Sequence, residues 1–446
     1  MDCQFYFPKH MELENRLKAS HYPVYKIGEK RISTRVVDGP FGTQLKVEDY
    51  VDSGVPLIRV SNCRHGEITA NEELVYISDQ KHSQLSRSEV LPDDVLLTKA
   101  GHILGYSAVF PKIFARGNIT SHLAAIRLTE NVDPQYLADF LTSNLGNSQI
   151  YRWGNKATRP ELNTDEVRQI LVPLPPLDIQ QQLVDEMEAA RSQRKAKLAE
   201  ADGLLKGMDG FVLEQLGLSL PPKLETLSFG VTLRDLLSNK RLNANYYNPE
   251  RMNAISAMQT QHDRYPSKKL GEIADFVRET VQVQPTDAYM GLAGVQTYTG
   301  ELSGVAEEAT GQAFRYQVDD VLFGRLRPYL NKVYRSEQEG LCSTEFHVIR
   351  LHKFNQPPIL PVYLSSILRS SLILAQTRHM MTGNTHPRIA NEDVVDLLIP
   401  MPDLATQTKI VDELNRRREM ARRLRLEAEQ GWQAARVRFE EALLAP

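Results

Sequence analysis

Residues 154–187 read GNKATRPELNTDEVRQILVPLPPLDIQQQLVDEM, and a variant of the same text returns at residues 382–414 as TGNTHPRIANEDVVDLLIPMPDLATQTKIVDEL. Pro173, Val184, Asp185 and Glu186 recur as Pro400, Val411, Asp412 and Glu413, all at one constant offset that spans half the chain. A second pair, RLKASHY at 16–22 and RLNANYYNP at 241–249, lies at nearly the same offset. So does a third, LPDDVLLTK at 91–99 and QVDDVLFGR at 317–325. Three ordered matches at nearly one spacing indicate an internal duplication, so the chain must be built from two similar halves. Between the anchors the text diverges, with GVPLIRVSNCRHGEI in the first half facing YMGLAGVQTYTGEL in the second. A duplicated scaffold with altered surface suits two modules meeting two different targets, although drift alone leaves the same picture.

Within each half, short branched runs separated by Gly, Pro, Asn and Asp predict strands: PLIRV, DDVLLTK and LAAIRL, then MGLAGV, DDVLFGR and FHVIRL. Residues 133–153 and 361–380 change to helical spacing. Each half therefore reads as a small curved sheet with one or two helices. Pro173, Pro175 and Pro176, and later Pro400 and Pro402, hold the chain extended at the module exits. Beyond them, apolar residues recur every three or four positions, including Ile179, Leu183 and Met187 in the first copy and Ile410, Leu414 and Leu424 in the second. Roughly 40 residues of helix extend about 60 Å and need a partner, most simply the other copy, antiparallel, with a module toward each end. Gly203, Gly207 and Gly210 leave a kink, fraying or two shorter helices open in the first run.

The fold expected is α+β: two pseudo-symmetric mixed α/β modules joined and separated by two long antiparallel helices forming a coiled coil. Its segments are an N-terminal helical piece (1–24), a first module (25–176), a first long helix (177–217), a linker with a helical segment (218–262), a second module (263–402) and a second long helix (403–446).

Composition bounds the function. Apolar residues make up 41% and are spread throughout, which argues against disorder. There is no apolar run of bilayer length and MDCQFYFPKHMELENR lacks a signal peptide's apolar stretch, so no membrane association and a cytoplasmic location are expected. Cys3, Cys63 and Cys342 are too scattered for a disulfide framework or a cysteine-rich zinc site. The net charge of -3 does not advertise a polyanionic partner, so a nucleic-acid reading rests on local patches.

Catalytic motifs are weak. NYYNPE at 245–250 only loosely resembles a polar-proline-aromatic methyltransferase motif, and AGHILG and GNKAT lack phosphate-loop spacing. Asp93, Asp94 and Lys99 resemble a nuclease carboxylate-lysine set, but the repeat places Arg325 where Lys99 stands, and arginine cannot readily serve as the same base. A turn into a strand that aims Lys99 or Arg325 at phosphate is preferred to catalysis. His65, His102, His122, His379 and His386 make no local metal spacing. No catalytic, cofactor or metal residue is assigned.

At its paired elements the chain resembles a specificity subunit of a type I restriction-modification complex. The resemblance runs from VVDGPFGTQLKVEDYVDSGVPLIRVSN through TRPELNTDEVRQILVPLPPLDIQQQLV to VLFGRLRPYLNKVY and the closing NTHPRIANEDVVDLLIPMPDLATQTKIVDEL. It implies a prokaryotic, non-catalytic subunit in which each variable module is a target recognition domain reading one half of a split, asymmetric sequence in double-stranded DNA. It further implies two methyltransferase subunits bound to the repeated helices, and restriction/translocase subunits. S-adenosylmethionine, ATP and Mg would belong to those partners, with no cofactor in this chain. Two alternatives stay open: a related system with a fused methyltransferase-nuclease partner, and a duplicated protein-binding adaptor.

The residues favoured for DNA contact combine phosphate donors with base-reading side chains. In the first module they are Thr43, Lys46, Arg59, Asn62, Arg64, His65, Lys99, His102, Lys156 and Arg159. In the second they are Gln296, Tyr298, Arg325, Arg327, Tyr329, Lys332, Thr382, Asn384, His386 and Arg388. For partner subunits the resemblance points to the helix stripe, at Ile179, Leu183, Met187, Ile410, Leu414 and Leu424. Each has a plain structural alternative: Arg59 on a solvated strand face, Tyr329 packed in its domain, Asn384 shaping a turn.

Overall fold

The structure is a computed structural model. It describes residues 12, 15–40, 44–64, 66–68, 74–101, 104–154, 160–220, 228–239, 241–284, 287–305, 307 and 311–444. Contacts divide the chain into two units: residues 1–197 with 426–446, and residues 198–425. The division falls inside both long helices, Leu177–Leu216 and Leu404–Leu444, so each unit holds one module and a segment of each helix. Among the described residues no helix is long and apolar enough to cross a membrane.

The first unit's central sheet is antiparallel, in the order Ser107–Val109, Val95–Thr98, Leu123–Leu128, Ser33–Asp38. A second sheet places Gly117–Ile119 parallel to Val55–Ile58. Val24–Lys26 pairs with Leu171–Pro173, which closes the module where the chain leaves it. The second unit repeats the plan. Val333–Arg335, Val321–Gly324, Phe346–Leu351 and Ala274–Val277 form the matching antiparallel sheet. Gly340–Ser343 runs parallel to Tyr289–Met290, and Ser267–Lys269 pairs with Leu398–Pro400. Among the described residues each module thus has two sheets and a closing two-stranded ladder, and the first adds a short ladder of Cys63–Arg64 with Glu67–Ile68, more than the single curved sheet expected. MGLAGV is a strand only at Tyr289–Met290; Leu292–Gly294 turns into a 3-10 helix.

Both predicted helical segments break at a matched serine. Ser143 separates Pro134–Thr142 from Asn144–Gly154, and Ser370 separates Pro361–Leu368 from Ser371–Thr377. Each hydroxyl donates to the carbonyl three residues back, Phe140 and Ile367, at 2.6 Å, satisfying an acceptor at the helix end.

The long helices run antiparallel within each unit. In the first, Arg194 meets Glu429 (3.5 Å) and Lys197 meets Glu427 (2.9 Å). In the second, Asp202 meets Arg425 (2.9 Å) and Arg417 donates to the Gly207 carbonyl (2.7 Å). Gly203, Gly207 and Gly210 do not interrupt the first helix, which is continuous over 40 residues. Leu183, Val184 and Met187 join Trp432, Ala435, Phe439 and the module's Tyr136, Leu137 and Phe140 in one core. Met208, Val212, Ile410, Val411 and Leu414 do the same with Tyr363, Leu364 and Ile367 in the second.

Repeated polar bonds fix module to helix. Gln180 is fully buried; its amide donates to the Asn131 (3.0 Å) and Pro175 (2.8 Å) carbonyls, and its oxygen accepts from Asp133 N–H (2.8 Å). Gln407, its counterpart in the repeat, bonds the Pro358 (2.8 Å) and Pro402 (2.9 Å) carbonyls and Leu360 N–H (2.9 Å) in the same way. The Tyr136 hydroxyl donates to the Pro173 carbonyl (2.6 Å) and that of Tyr363 to Pro400 (2.9 Å). The carbonyls of the proline exits thus also serve as anchors, accepting from Tyr136 and Gln180 in one unit and from Tyr363 and Gln407 in the other.

Candidate nucleic-acid interface

The PDD and VDD turns are structural. Asp93 and Asp319 take left-handed backbone conformations, φ 71° and 69°, which aspartate tolerates better than most residues. Asp94 then receives two bonds from Arg127 (2.9 and 2.7 Å), and Asp320 two from Arg350 (2.8 and 2.6 Å). Both carboxylates are buried and additionally cap a backbone N–H, of Leu91 and Gln317. A forked guanidinium on a buried carboxylate locks the turn to the neighbouring strand.

The strands leaving these turns deliver Lys99 and Arg325 to the same backbone frame. Lys99 N–H donates to the His122 carbonyl (2.9 Å) and its own carbonyl accepts from Leu162 (2.8 Å). Arg325 N–H donates to Glu345 (2.8 Å) and its carbonyl accepts from Ile389 (3.0 Å). The charges set on this frame differ. In the first unit Lys99 pairs with Glu161 (3.2 Å) beside His122. In the second, Arg388 forks onto Glu345 (2.6 Å), beside Arg325. That hydrogen bond raises the Arg388 pKa above its ordinary value.

Around this frame the second unit gathers most of its favoured residues. Thr382 and Arg388 exchange backbone bonds (2.9 Å each), closing a turn that exposes Asn384 and His386. Arg327, left-handed at φ 48°, donates its N–H to the Pro387 carbonyl (2.7 Å) and extends its guanidinium to Thr385 (3.4 Å). Tyr329 follows on a 3-10 turn, and its carbonyl accepts the Tyr298 hydroxyl (3.2 Å). Tyr298 is 57% and Tyr329 38% exposed, so each ring is available for stacking or a groove contact. Lys332 is tied to the Leu292 carbonyl (2.6 Å), and Gln296 accepts from Thr299 (3.1 Å) and donates to Leu302 (3.3 Å); both shape the loop.

The first unit's set is less coherent. Lys46 is exposed at a short 3-10 turn whose Asp49 caps its N–H (2.7 Å). Asn62 is fully buried and its oxygen accepts Arg59 N–H (2.9 Å), so it shapes the turn rather than reading a base. Lys99 is also buried and engaged by Glu161, which corrects its reading as a phosphate donor in this state. Arg64 contributes backbone to the two-residue strand Cys63–Arg64. The Arg64 side chain and residues Thr43, His65, His102, Lys156 and Arg159 lie outside the described residues.

The partner-contact stripe also needs correction. Leu183, Met187, Ile410, Leu414 and Leu424 are buried, and half-buried Ile179 packs on the same core as Leu183. Leu183, Met187, Ile410 and Leu414 hold the helices to the modules and Leu424 holds one helix to the other, so these side chains are covered within the chain itself. Most of the Arg416–Arg425 cluster is paired as well: Arg416 and Arg417 with Glu413, Arg422 with Glu301, Arg425 with Asp202.

No group of three His, Cys, Asp or Glu able to hold a metal occurs among the described residues. Burial raises the Cys63 and Cys342 thiols to about 12, which makes them poor nucleophiles. Tyr246 and Tyr247 of NYYNPE are buried, and Asn248 and Pro249 start a helix, Asn248 accepting Glu250 N–H (3.0 Å). That segment serves packing and capping.

Two similar units, each with a loop rim on a shared frame and a segment of a long antiparallel helix pair, define a class of duplicated scaffold with two different surfaces. Comparison shows what the chain is similar to. Residues amounting to 31% of the chain are 28% identical, over 143 positions, to the type I restriction enzyme EcoBI specificity subunit of Escherichia coli, and span 29% of that protein. A solved structure described as the structural basis of complex assembly and conformational transition of the type I R-M system aligns over 95% of this chain and 96% of its own, at TM-score 0.54 and 15% identity. The HsdS subunit of Thermoanaerobacter tengcongensis aligns over 95% and 97% at 14% identity, with a TM-score of 0.42 too low to carry the fold assignment. No family model matches. The chain is thus similar in sequence to that specificity subunit over about a third of its length, and shares the fold of the type I R-M structure over nearly all of it.

Proposed function

We propose that the chain is the non-catalytic DNA-specificity subunit of its complex, each unit reading one half of a split, asymmetric duplex target. The observation that carries this reading is the reuse of one backbone frame with different side chains: Lys99, His122 and Glu161 in one unit, Arg325, Glu345 and Arg388 in the other. Identical latches beneath and different side chains above are what two half-sites of different sequence require. Arginine at such a rim serves forked contact to guanine, and asparagine and exposed tyrosine serve adenine and apolar edges.

Adenine methylation and restriction are then the work of partners: two methyltransferase subunits, using S-adenosylmethionine, and restriction/translocase subunits using ATP and Mg. This chain's residues supply the address. Co-expression with the methyltransferase of a neighbouring gene, followed by genome-wide mapping of methyladenine, tests the proposal. A split motif that needs both proteins is expected; an active, assembled complex leaving no sequence-specific mark would overturn it.

A further inference from the structure

The two units differ sharply at one matched position on the long helices. In the first, Arg191 is buried and held by Asp139 (2.6 Å) and Glu188, with Trp432 5.8 Å from its guanidinium. The matching arginine in the repeat is Arg418, and the registers of Tyr136 with Tyr363 and Gln180 with Gln407 fix the correspondence. Asp139 is replaced by Ser366, Glu188 by Asn415 and Thr142 by Arg369. The first unit has one arginine and two carboxylates at these four positions; the second has two arginines and none.

Arg418 and Arg369 line a cavity of about 580 Å³ with Ser366 and the apolar side chains of Leu205, Met208 and Leu374. That volume is in the range of small-molecule sites, which are mostly apolar with a few convergent polar groups. Among the described residues no carboxylate lies within 4.0 Å of either guanidinium; Arg418 donates to the Asn415 side-chain oxygen (3.3 Å), and its Nε is buried without a partner. Arg369 donates to the Val333 carbonyl (2.9 Å) and Ser366 hydroxyl (3.3 Å). Burial lowers the pKa of both; Arg418 lowers that of Arg369 further and Arg422 that of Arg418, while the Glu301 carboxylate, itself paired with Arg422 (3.2 Å), opposes both shifts from nearby. The cavity's own acids are engaged elsewhere: Asp202 by Arg425 (2.9 Å), and Asp209 by the N–H of Ser371 (2.8 Å). Lys206 adds a third cation to the lining.

We propose that this cavity binds a small phosphate monoester with an apolar body, its oxyanion taking the place that Asp139 and Glu188 hold in the first unit. Two guanidiniums match the charge and geometry of a phosphate, and the apolar wall accepts the remainder of the ligand. Tyr298 of the rim also lines this cavity, but the proposal rests on the buried arginines and not on the function proposed for the rim.

Titration calorimetry of the full chain with phenyl phosphate and with inorganic phosphate, at fixed ionic strength, tests this. Phenyl phosphate should bind saturably at one site and more tightly than inorganic phosphate. Ser366→Asp restores the first unit's internal carboxylate and should weaken binding at least about tenfold, the loss expected for competing with a charge-assisted bond, while leaving the chain folded by circular dichroism. Arg418→Gln should lose binding to the same extent. Absence of saturable binding, equal affinity for the two phosphates, or a folded Ser366→Asp variant that binds like the parent would each overturn the proposal.

Discussion

Replacing Gln407 with leucine should show how strongly the second module is held to its helix. The side chain is fully buried and makes three hydrogen bonds of 2.8 to 2.9 Å, to Pro358, Leu360 and Pro402, so its loss strands one N–H and two carbonyls away from water. At roughly 1 kcal/mol net for each bond, the cost is about 3 kcal/mol, because leucine fills similar space but satisfies none of the three. Urea unfolding of the variant and parent measures it, and hydrogen exchange at the Leu360 amide locates it. Gln180→Leu is an internal replicate, with the Asp133 amide reporting. A Gln407→Leu cost below about 0.5 kcal/mol, with Leu360 still protected, would refute the view that these glutamines latch module to helix.

Further outcomes follow from the rim. Burial and the nearby charge of Arg325 lower the His347 pKa from 6.5 to about 4, so the unfolded chain takes a proton the folded one refuses. Stability should fall as pH drops from 6.5 towards 4, and urea unfolding of His347→Phe should lack that component. In the assembled complex Lys46→Ala should weaken binding to all duplexes alike and reduce the salt slope by about 1, read from affinity against salt concentration. At least one of Arg64→Ala, Arg159→Ala and Arg327→Ala should relax preference at a single base pair by about 1–3 kcal/mol, measured on matched and single-variant duplexes.

The repeat made the architecture legible because one spacing shared by several ordered matches survives drift better than any one motif, and the proline exits marked where each helix begins. Pairings across strands were not legible. Asp94 and Asp320 read as a turn aiming a cation outward, yet their partners Arg127 and Arg350 lie far along the chain, in strands whose register only folding sets. The glutamine latches do carry a sequence signal: Gln180 and Gln407 occupy the same place in DIQQQLV and ATQTKIV, beside apolar stripe positions. Lys99 and Asn62 were favoured for chemistry suited to DNA, but side-chain type does not disclose burial. The second unit's rim was read more completely, because GRLRPYLNK and TGNTHPR are brought together by the Leu326–Arg388 bridge.

The central claim is that each unit reads its own half of the target. Mapping methyladenine in cells that carry the methyltransferase with either the parent chain or Arg327→Ala tests it most directly. The claim predicts a split motif for the parent, and for the variant a motif relaxed in one half with the other half unchanged. Relaxation of both halves together, or a parent complex that methylates without a split motif, would contradict it.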